Sequence, residues 1–375
     1  MVNNFEKDIP KGWDLLKLGE ILDVKHGKNQ KDVEDNNGDY PIFGTGGQIG
    51  NARAYLLDKP SVLIGRKGTI DKPRYIEQGF WTVDTLFYTV INERNNPKFV
   101  YYKFCMIPWK KYNEATGVPS LSASTIKSIK VLLPPLNEQE KIASILSTWD
   151  KAIQLKEKLI QQKKQQKKGL MQKLLTGEKR LPGFEGEWEE VKLGDILKER
   201  KETGYTGLEL LAITSTKGVI KRSELESKDN SSEDKSKYKR ILPNDIGYNT
   251  MRMWQGVSGV SSYEGIVSPA YTVLKPTPRI APNFIGYLFK HPKIINLFKR
   301  YSQGLVNDTL NLKYVNFKVI KVKIPVDLSE QKAIAQTLIT IDENIRVLEE
   351  NITQLKQQKK GLMQLLLTGK VRVKV

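Results

Sequence analysis

The chain has 375 residues, 39% of them apolar, and a formal net charge of +19 from 61 Lys and Arg against 42 Asp and Glu. That length is too great for one small core and predicts two to four domains, while the apolar share excludes a disordered chain. So large a positive charge points to a polyanionic partner, nucleic acid before an anionic membrane surface.

The opening stretch MVNNFEKDIPKGW has no basic segment followed by an apolar one, so no signal peptide is expected. No run approaches the 18 apolar residues of a membrane span. The pattern W-x-x-x-K-L-G-[ED]-I-L occupies Trp13–Leu22. FGTGGQIG at Phe43–Gly50 resembles a dinucleotide loop, but the third glycine of G-x-G-x-x-G would fall on Ile49, and the chain then runs into Pro60. It reads instead as tight turns that bring backbone close to a ligand or another strand. SVLIG, LFYTVI and IKVLL read as strands between Gly, Pro and Asn turns, and PKFVYYKFCM as a helix. Its cysteine, Cys105, is the only one in the chain. It excludes an internal disulfide and reads as a buried small hydrophobe in a reducing cytoplasm. After a helical stretch the second half repeats the scheme. LELLAIT, AYTVLK and FKVIKVKI read as strands and APNFIGYLFK as a helix, a mixed α+β pattern with a mainly β body.

The halves are duplicated. The octamer QQKKGLMQ occurs at Gln165–Gln172 and again at Gln357–Gln364, and the gapless alignment of residues 138–177 with 330–369 holds 24 identities in 40 pairs. Upstream, Trp13–Leu22 matches Trp188–Leu197 at an offset of 175. Pro60 matches Pro243, and Tyr88–Val90 matches Tyr271–Val273, both at 183. Pro97–Phe104 matches Pro282–Phe289 at 185. The drift predicts loop insertions in the second copy. Domains are expected at 1–135, 136–180, 181–327 and 328–375, alternating globular parts with long helices.

Both helices carry a narrow seam of 4–3 spacing, the mark of a coiled coil. The second seam runs Ile334, Leu338, Ile341, Ile345, Leu348, Ile352, Leu355, Lys359, Leu362, Leu366. In the first, Lys156, Lys163 and Lys167 interrupt the series Ile142, Leu146, Trp149, Ile153, Ile160, Leu170 and Leu174, so those lysines either snorkel or face a partner or DNA. Starts are expected from a capping box of Asn137 with Glu140, and from Ser329. Gly177 and Gly369 are expected to end the helices in the left-handed conformation. Each rod would be about 60 Å long.

Catalytic signatures are sparse. His26 and His291 occupy non-corresponding places and read as surface or packing residues. GVSGV is not a nucleophile elbow, no phosphate-binding G-x-x-x-x-G-K-[ST] occurs, and LPPL lacks the polar start and aromatic end of the amino-methyltransferase tetrapeptide. Nucleic-acid readers are better represented. Gln48, Asn51 and Arg53 follow the glycine turn, and Arg66, Lys67, Thr69 and Arg74 lie in IGRKGTIDKPRY. The corresponding YNTMRMWQGVSG offers Asn249, Arg252, Trp254 and Gln255. Arg reads guanine, Asn and Gln read adenine, and the remaining cations hold phosphates.

At this point the chain resembles a known family. LPPLNEQEKIASILSTWDKAI with KKGLMQKLLTGEKRLPGF, and SEQKAIAQTLITIDENI with KKGLMQLLLTGK, are similar to the specificity subunits of type I restriction–modification systems. The resemblance spans the chain and implies two target recognition domains, each reading one half of a bipartite asymmetric site in double-stranded DNA. It also implies two conserved antiparallel spacer helices that dock two methyltransferase subunits, with Leu170, Met171, Leu174, Leu362, Met363 and Leu366 at the helix ends. Restriction subunits, which are motor nucleases, then join. The chain itself would be non-catalytic and without cofactor or metal, while its partners use S-adenosylmethionine, ATP and Mg. Half-sites about one helical turn apart are expected, in a cytoplasmic complex. The rivals are a fused methyltransferase, and a basic coiled-coil scaffold that grips nucleic acid without sequence choice.

Overall fold

The computed structural model describes residues 9–226 and 231–374; the opening residues 1–8, on which the reading of the chain start rests, lie outside them. No helix among the described residues is long and apolar enough to cross a membrane. The chain packs as two units, Met1–Glu157 with Glu350–Val375, and Lys158–Glu349. Each long helix is therefore shared: the first, Leu136–Leu174, and the second, Leu328–Leu367, each give one part to either unit.

The first unit holds a four-stranded antiparallel sheet in the order Leu22–His26, Leu86–Ile91, Ser61–Gly65, Arg74–Ile76. The second repeats that order with Leu197–Arg200, Tyr271–Pro276, Ile246–Asn249, Ser258–Val260. In both, the tryptophan motif forms an edge strand, one helical turn and the first strand of this sheet. Asp14–Lys17 pairs with Lys130–Leu133, and Trp188–Lys192 pairs with Lys321–Pro325. The motif's glycine is required by close approach. A Cβ on Gly194 would sit 2.7 Å from Lys318 Cβ and 2.9 Å from its carbonyl oxygen.

Strand pairing corrects one alignment. Leu22 lies opposite Ile91 and Leu197 opposite Pro276, so this strand is offset by 185 residues, as its following helix is. The shared Tyr-Thr-Val triplet is thus two residues out of register, an even slip that keeps alternate side chains on the same face. The stretch PKFVYYKFCM is the helix Pro97–Met106, capped by Asn96 Oδ1 accepting from Phe99 N. Cys105 is exposed on it, contrary to expectation, because Phe99, Val100, Tyr102 and Phe104 occupy the buried face. His26 is exposed on its strand, with its ring edge against Phe87, while His291 is buried at the N-cap of an unforeseen helix, Pro292–Tyr301.

Every seam position of the long helices is buried or half-buried. Pairing is antiparallel within each unit. In the first, Glu157 meets Lys356 at 2.7 Å, and Asp150 pairs with Lys359; in the second, Lys164 meets Glu349 at 2.7 Å and Lys167 meets Asp342 at 2.6 Å. The octamer lysines Lys167 and Lys359 thus bond the aspartate of the other copy rather than a partner or DNA. Their ammonium groups lie 5.3 and 5.2 Å from the ring centroids of Tyr287 and Tyr102, whose hydroxyls donate to the same aspartates at 2.7 and 2.6 Å. Burial, then the carboxylate, push both phenols above their ordinary range. Lys156 and Lys163 remain half-buried on the seam, as snorkelling lysines do.

Helix starts differ from the capping box expected. The first helix begins at Leu136, and Asn137 Oδ1 accepts only from the adjacent Glu138 N. In the second, Asp327 rather than Ser329 caps, accepting from Ser329 N at 2.7 Å. The reason is that the helices start at Leu136 and Leu328, so Asn137 and Ser329 lie inside the first turn rather than at the N-cap. Gly177 and Gly369 both take φ +72°, the left-handed ending.

The Glu-Gln pair repeated at each helix start joins helix to globular part. Glu138, 2% exposed, accepts from Arg372 Nε and one terminal nitrogen, both at 2.7 Å, and from Trp13 Nε1 at 3.2 Å. Glu330, 1% exposed, accepts in the same way from Arg180, at 2.6 Å from a terminal nitrogen, and from Trp188 Nε1 at 3.4 Å. Each arginine also lies 5.8 Å from the centroid of its tryptophan ring. The neighbouring Gln139 accepts from Asn96 N and donates to Pro134 O, as Gln331 accepts from Ala281 N and donates to Pro325 O. Asn96 and Ala281 are N-caps of equivalent helices.

Replacing Arg372 by Met leaves the buried Glu138 carboxylate without its cation and is expected to lower the urea midpoint of unfolding, much of the loss being recovered by adding Glu138→Gln. The Arg372 hydrogen bond, reinforced by Trp13, holds the Glu138 carboxyl below its usual range. Its stabilisation is therefore complete above the unfolded value of about 4.3 and is lost as pH falls through the folded one. The lead of the native chain over Glu138→Gln should narrow as unfolding is followed from about pH 5 downward.

Candidate nucleic-acid interface

In the first unit the sequence candidates fall on two hairpins. FGTGGQIG is the turn between strands Tyr40–Gly44 and Gly47–Ala52. On the outgoing strand Gln48 donates to Asn51 Oδ1 at 2.9 Å, and Asn51 reaches Asn36 O at 3.4 Å. Arg53, just beyond, donates to Asp32 O at 2.9 Å. Gln48 and Arg53 remain exposed. Arg66, Lys67 and Thr69 lie in the connection between the third and fourth strands of the main sheet, and Arg74 opens the fourth. Arg74 joins the hairpins: its guanidinium donates to Thr45 O at 3.5 Å and lies 3.1 Å from where a Cβ on Gly47, whose φ is +141°, would sit. Lys67 is exposed, while Arg66 is half-buried and donates to Asp84 O at 3.3 Å. A shallow cleft of about 330 Å³ opens here, lined by His26, Arg66, Lys67, Phe87, Ser120 and Ser124 among others.

In the second unit Tyr248–Gly259 occupies the same topological place, the connection between third and fourth strands. Its ends are core: Tyr248 is buried and stacks on Phe317, and Ser258 and Gly259 are buried. The exposed part is a short turn. Asn249 Oδ1 accepts from Met251 N at 3.0 Å, and the indole of Trp254 donates to Met251 O at 3.1 Å. Gly256 closes the turn at φ +77°. Buried Met253 seats the turn on the core that includes Ile294 and Phe298, and Arg252 and Gln255 point to solvent. The Lys299 ammonium lies 5.6 Å from the centroid of the Trp254 ring. Lys290 holds the turn from beneath, donating to Gly256 O at 2.7 Å and Ser258 O at 2.8 Å.

Sequence reasoning missed a second loop in each unit. Asn113–Leu121 is bonded to the first strand connection, with Gly68 N donating to Pro119 O at 2.8 Å and Leu121 N to Arg66 O at 2.9 Å. In the second unit Leu312 N donates to Thr250 O at 2.9 Å, the equivalent bond. The shared leucine after a Gly-led stretch was the available signal. The six helix-end residues named above lie inward. Leu174, Met363 and Leu366 are buried in their own unit's core, and Leu170, Met171 and Leu362 pack against it. Among the described residues no group of three or more His, Cys, Asp or Glu side chains is placed to hold a metal ion.

Each unit therefore presents amide and guanidinium donors on paired turns at one edge of a matched sheet, a surface suited to base edges and phosphates. The family model described as the type I restriction modification DNA specificity domain matches residues 10–165 and again 185–357. The chain belongs to that family. Among its relatives, the MjaVIII type I restriction enzyme specificity subunit of Methanocaldococcus jannaschii is 26% identical over 419 residues, covering 98% of this chain and 94% of that one. The crystal structure of a type I restriction–modification S subunit from M. genitalium shares the fold with a TM-score of 0.65 at 16% identity, over 98% of both chains. A chain from a structure addressing complex assembly and conformational transition of a type I restriction–modification system has a TM-score of 0.55 at 14% identity, over 97% of this chain and 100% of that one. In this specificity-family chain the two domain matches coincide with the two copies of the fold.

Burial lowers the Lys290 ammonium to about 8. Between that value and the unfolded one the unfolded chain binds the extra proton, so stability rises with pH. Thermal unfolding of the native chain should gain on Lys290→Met as pH is raised from about 8 to about 10.

Proposed function

We propose that this chain is the DNA-specificity subunit of a type I restriction–modification complex. Each recognition domain reads one half of a bipartite, asymmetric duplex site. The carrying observation is the duplicated specificity domain with equivalent reader turns of different sequence, Arg66-Lys67-Gly68-Thr69 in one and Asn249 to Gln255 in the other. Two readers of unlike sequence on one scaffold suit two unlike half-sites. Arg66, Arg74, Arg252, Gln48, Asn51, Asn249 and Gln255 have the chemistry for base edges. Arg53, Lys67 and Thr69 suit phosphates, and Trp254 suits stacking or apolar contact. The long helices, each about 60 Å, would set the spacing and place half-sites about one helical turn apart.

The chain would direct chemistry rather than perform it. Two methyltransferase subunits, using S-adenosylmethionine, would methylate adenines, and restriction subunits using ATP and Mg would cleave. Duplication supplies two equivalent docking places for two copies of one partner. Because Leu174, Met363 and Leu366 are enclosed in their own cores, they would shape the helix ends and leave contact to the exposed faces.

Co-expression with the cognate modification subunits, followed by genome-wide mapping of methylated adenines, tests the reading. Exchanging residues 248–259 for another family member's segment should change one half of the methylated motif and leave the other. An unchanged motif removes specificity from that turn, and equal affinity for bipartite and random duplexes overturns the proposal in favour of a sequence-blind scaffold.

A further inference from the structure

Among the described residues the three most exposed large apolar side chains are Leu305 (101%), Val118 (66%) and Val306 (60%). They share one topological position. Val118 lies at the tip of a loop closed by Glu114 N donating to Ser120 O at 3.0 Å, and pinned by Asn113 Oδ1 accepting from Ser120 N at 2.9 Å. Leu305 and Val306 tip the matching loop, closed by Gln303 and Asn311 exchanging both backbone bonds at 2.9 and 2.8 Å. Thr309 fixes that tip further, its hydroxyl donating to Val306 O at 3.0 Å. Both loops are preorganised, and each ends in the leucine amide that bonds the reader turn, Leu121 to Arg66 O and Leu312 to Thr250 O.

Single exposed apolar residues are ordinary, but here the most exposed ones recur at the same place in both units, each on a closed loop bonded to the neighbouring strand connection. The surroundings identify their partner as a polyanion with apolar faces. Exposed Lys111 precedes the first loop and Lys67 adjoins it, while Lys110 pairs with Asp71 at 3.0 Å. Exposed Lys299 and Arg300 precede the second and Lys313 follows it. Duplex DNA offers thymine methyl groups, sugar faces and separable base steps within a phosphate frame.

We propose that residues 114–120 and 303–311 are DNA-binding elements that bury Val118, and Leu305 with Val306, against the duplex beside the reader turns. This inference rests on the DNA-reading function above. Apolar contact releases no counterions, so its contribution is independent of salt, unlike that of the cations around it.

The test uses the full chain assembled with its cognate modification subunits and a duplex carrying the mapped recognition sequence, with affinity measured by anisotropy across a salt series. Leu305→Ser should weaken binding roughly 10-fold with the slope of log affinity against log salt unchanged, and Val118→Ser should act likewise. Lys313→Ala should lower the slope by about one. Unchanged affinity in both serine variants overturns the inference. So does loss of co-elution with the modification subunits at unaltered DNA affinity, which would assign the tips to protein docking. Arg252→Ala is the control for the parent reading: if it weakens binding while the serine variants do not, only the inference fails. If neither class weakens binding, the reader surface fails too. Both tips are solvent-exposed, so the serine variants are expected to keep the native melting temperature.

Discussion

The clasp of a buried glutamate by an arginine, made twice at the helix ends, is the contact on which the remaining architecture depends. Glu138 and Glu330 each begin a long helix, and each is bonded by the arginine that follows the end of the other copy's helix. A carboxylate 1–2% exposed survives only with its charge matched and its lone pairs occupied, and Arg with Trp supplies both. That requirement ties the tail of one copy to the head of the other. Each recognition unit is consequently built from both copies rather than from one continuous half.

The same exchange of roles continues along the seam. Lys167 and Lys359 neutralise Asp342 and Asp150, and each shared aspartate also receives a tyrosine from the globular part. One carboxylate thus binds three elements: its own helix, the opposite helix and the recognition domain. Gln139 and Gln331 add a fourth link by bonding the N-caps of the equivalent helices. These polar anchors repeat in identity, whereas Arg66 to Thr69 and Asn249 to Gln255 do not. The scaffold is held constant while the strand-connection turns differ, which suits the proposed reading of two unlike half-sites.

Much of this was legible in residue order. Seam periodicity located two coiled-coil helices, and their Gly endings, because 4–3 spacing and left-handed glycine follow from local backbone geometry. Of the eight main-sheet strands, Ser61–Gly65, Leu86–Ile91 and Tyr271–Pro276 were legible, as was the helix Pro97–Met106. Other features were not. The Asn137 capping box failed because the helix starts one residue earlier, at Leu136, and Cys105 was misplaced because its helix buries a different face. Slippage of Tyr-Thr-Val by two residues was invisible because either register keeps the same side chains inward. The loops 114–120 and 303–311 offered only a leucine after a Gly-led stretch, and their place beside the strand connections appears only through bonds to residues far away in sequence.

By itself, the sequence determined that the chain is duplicated, that each copy ends in a seam-bearing helix, and that its charge and motifs resemble those of type I specificity subunits. These depend on identity, period and composition, which are properties of a line. The tertiary structure alone decided that Lys167 answers Asp342 and Lys359 answers Asp150, that Arg180 and Arg372 close the opposite copy's helix, and that Arg66, Lys67 and Val118 share one surface. Such pairings link residues up to 234 positions apart. They are chosen by which charges the packed chain brings together, and no local pattern records that choice.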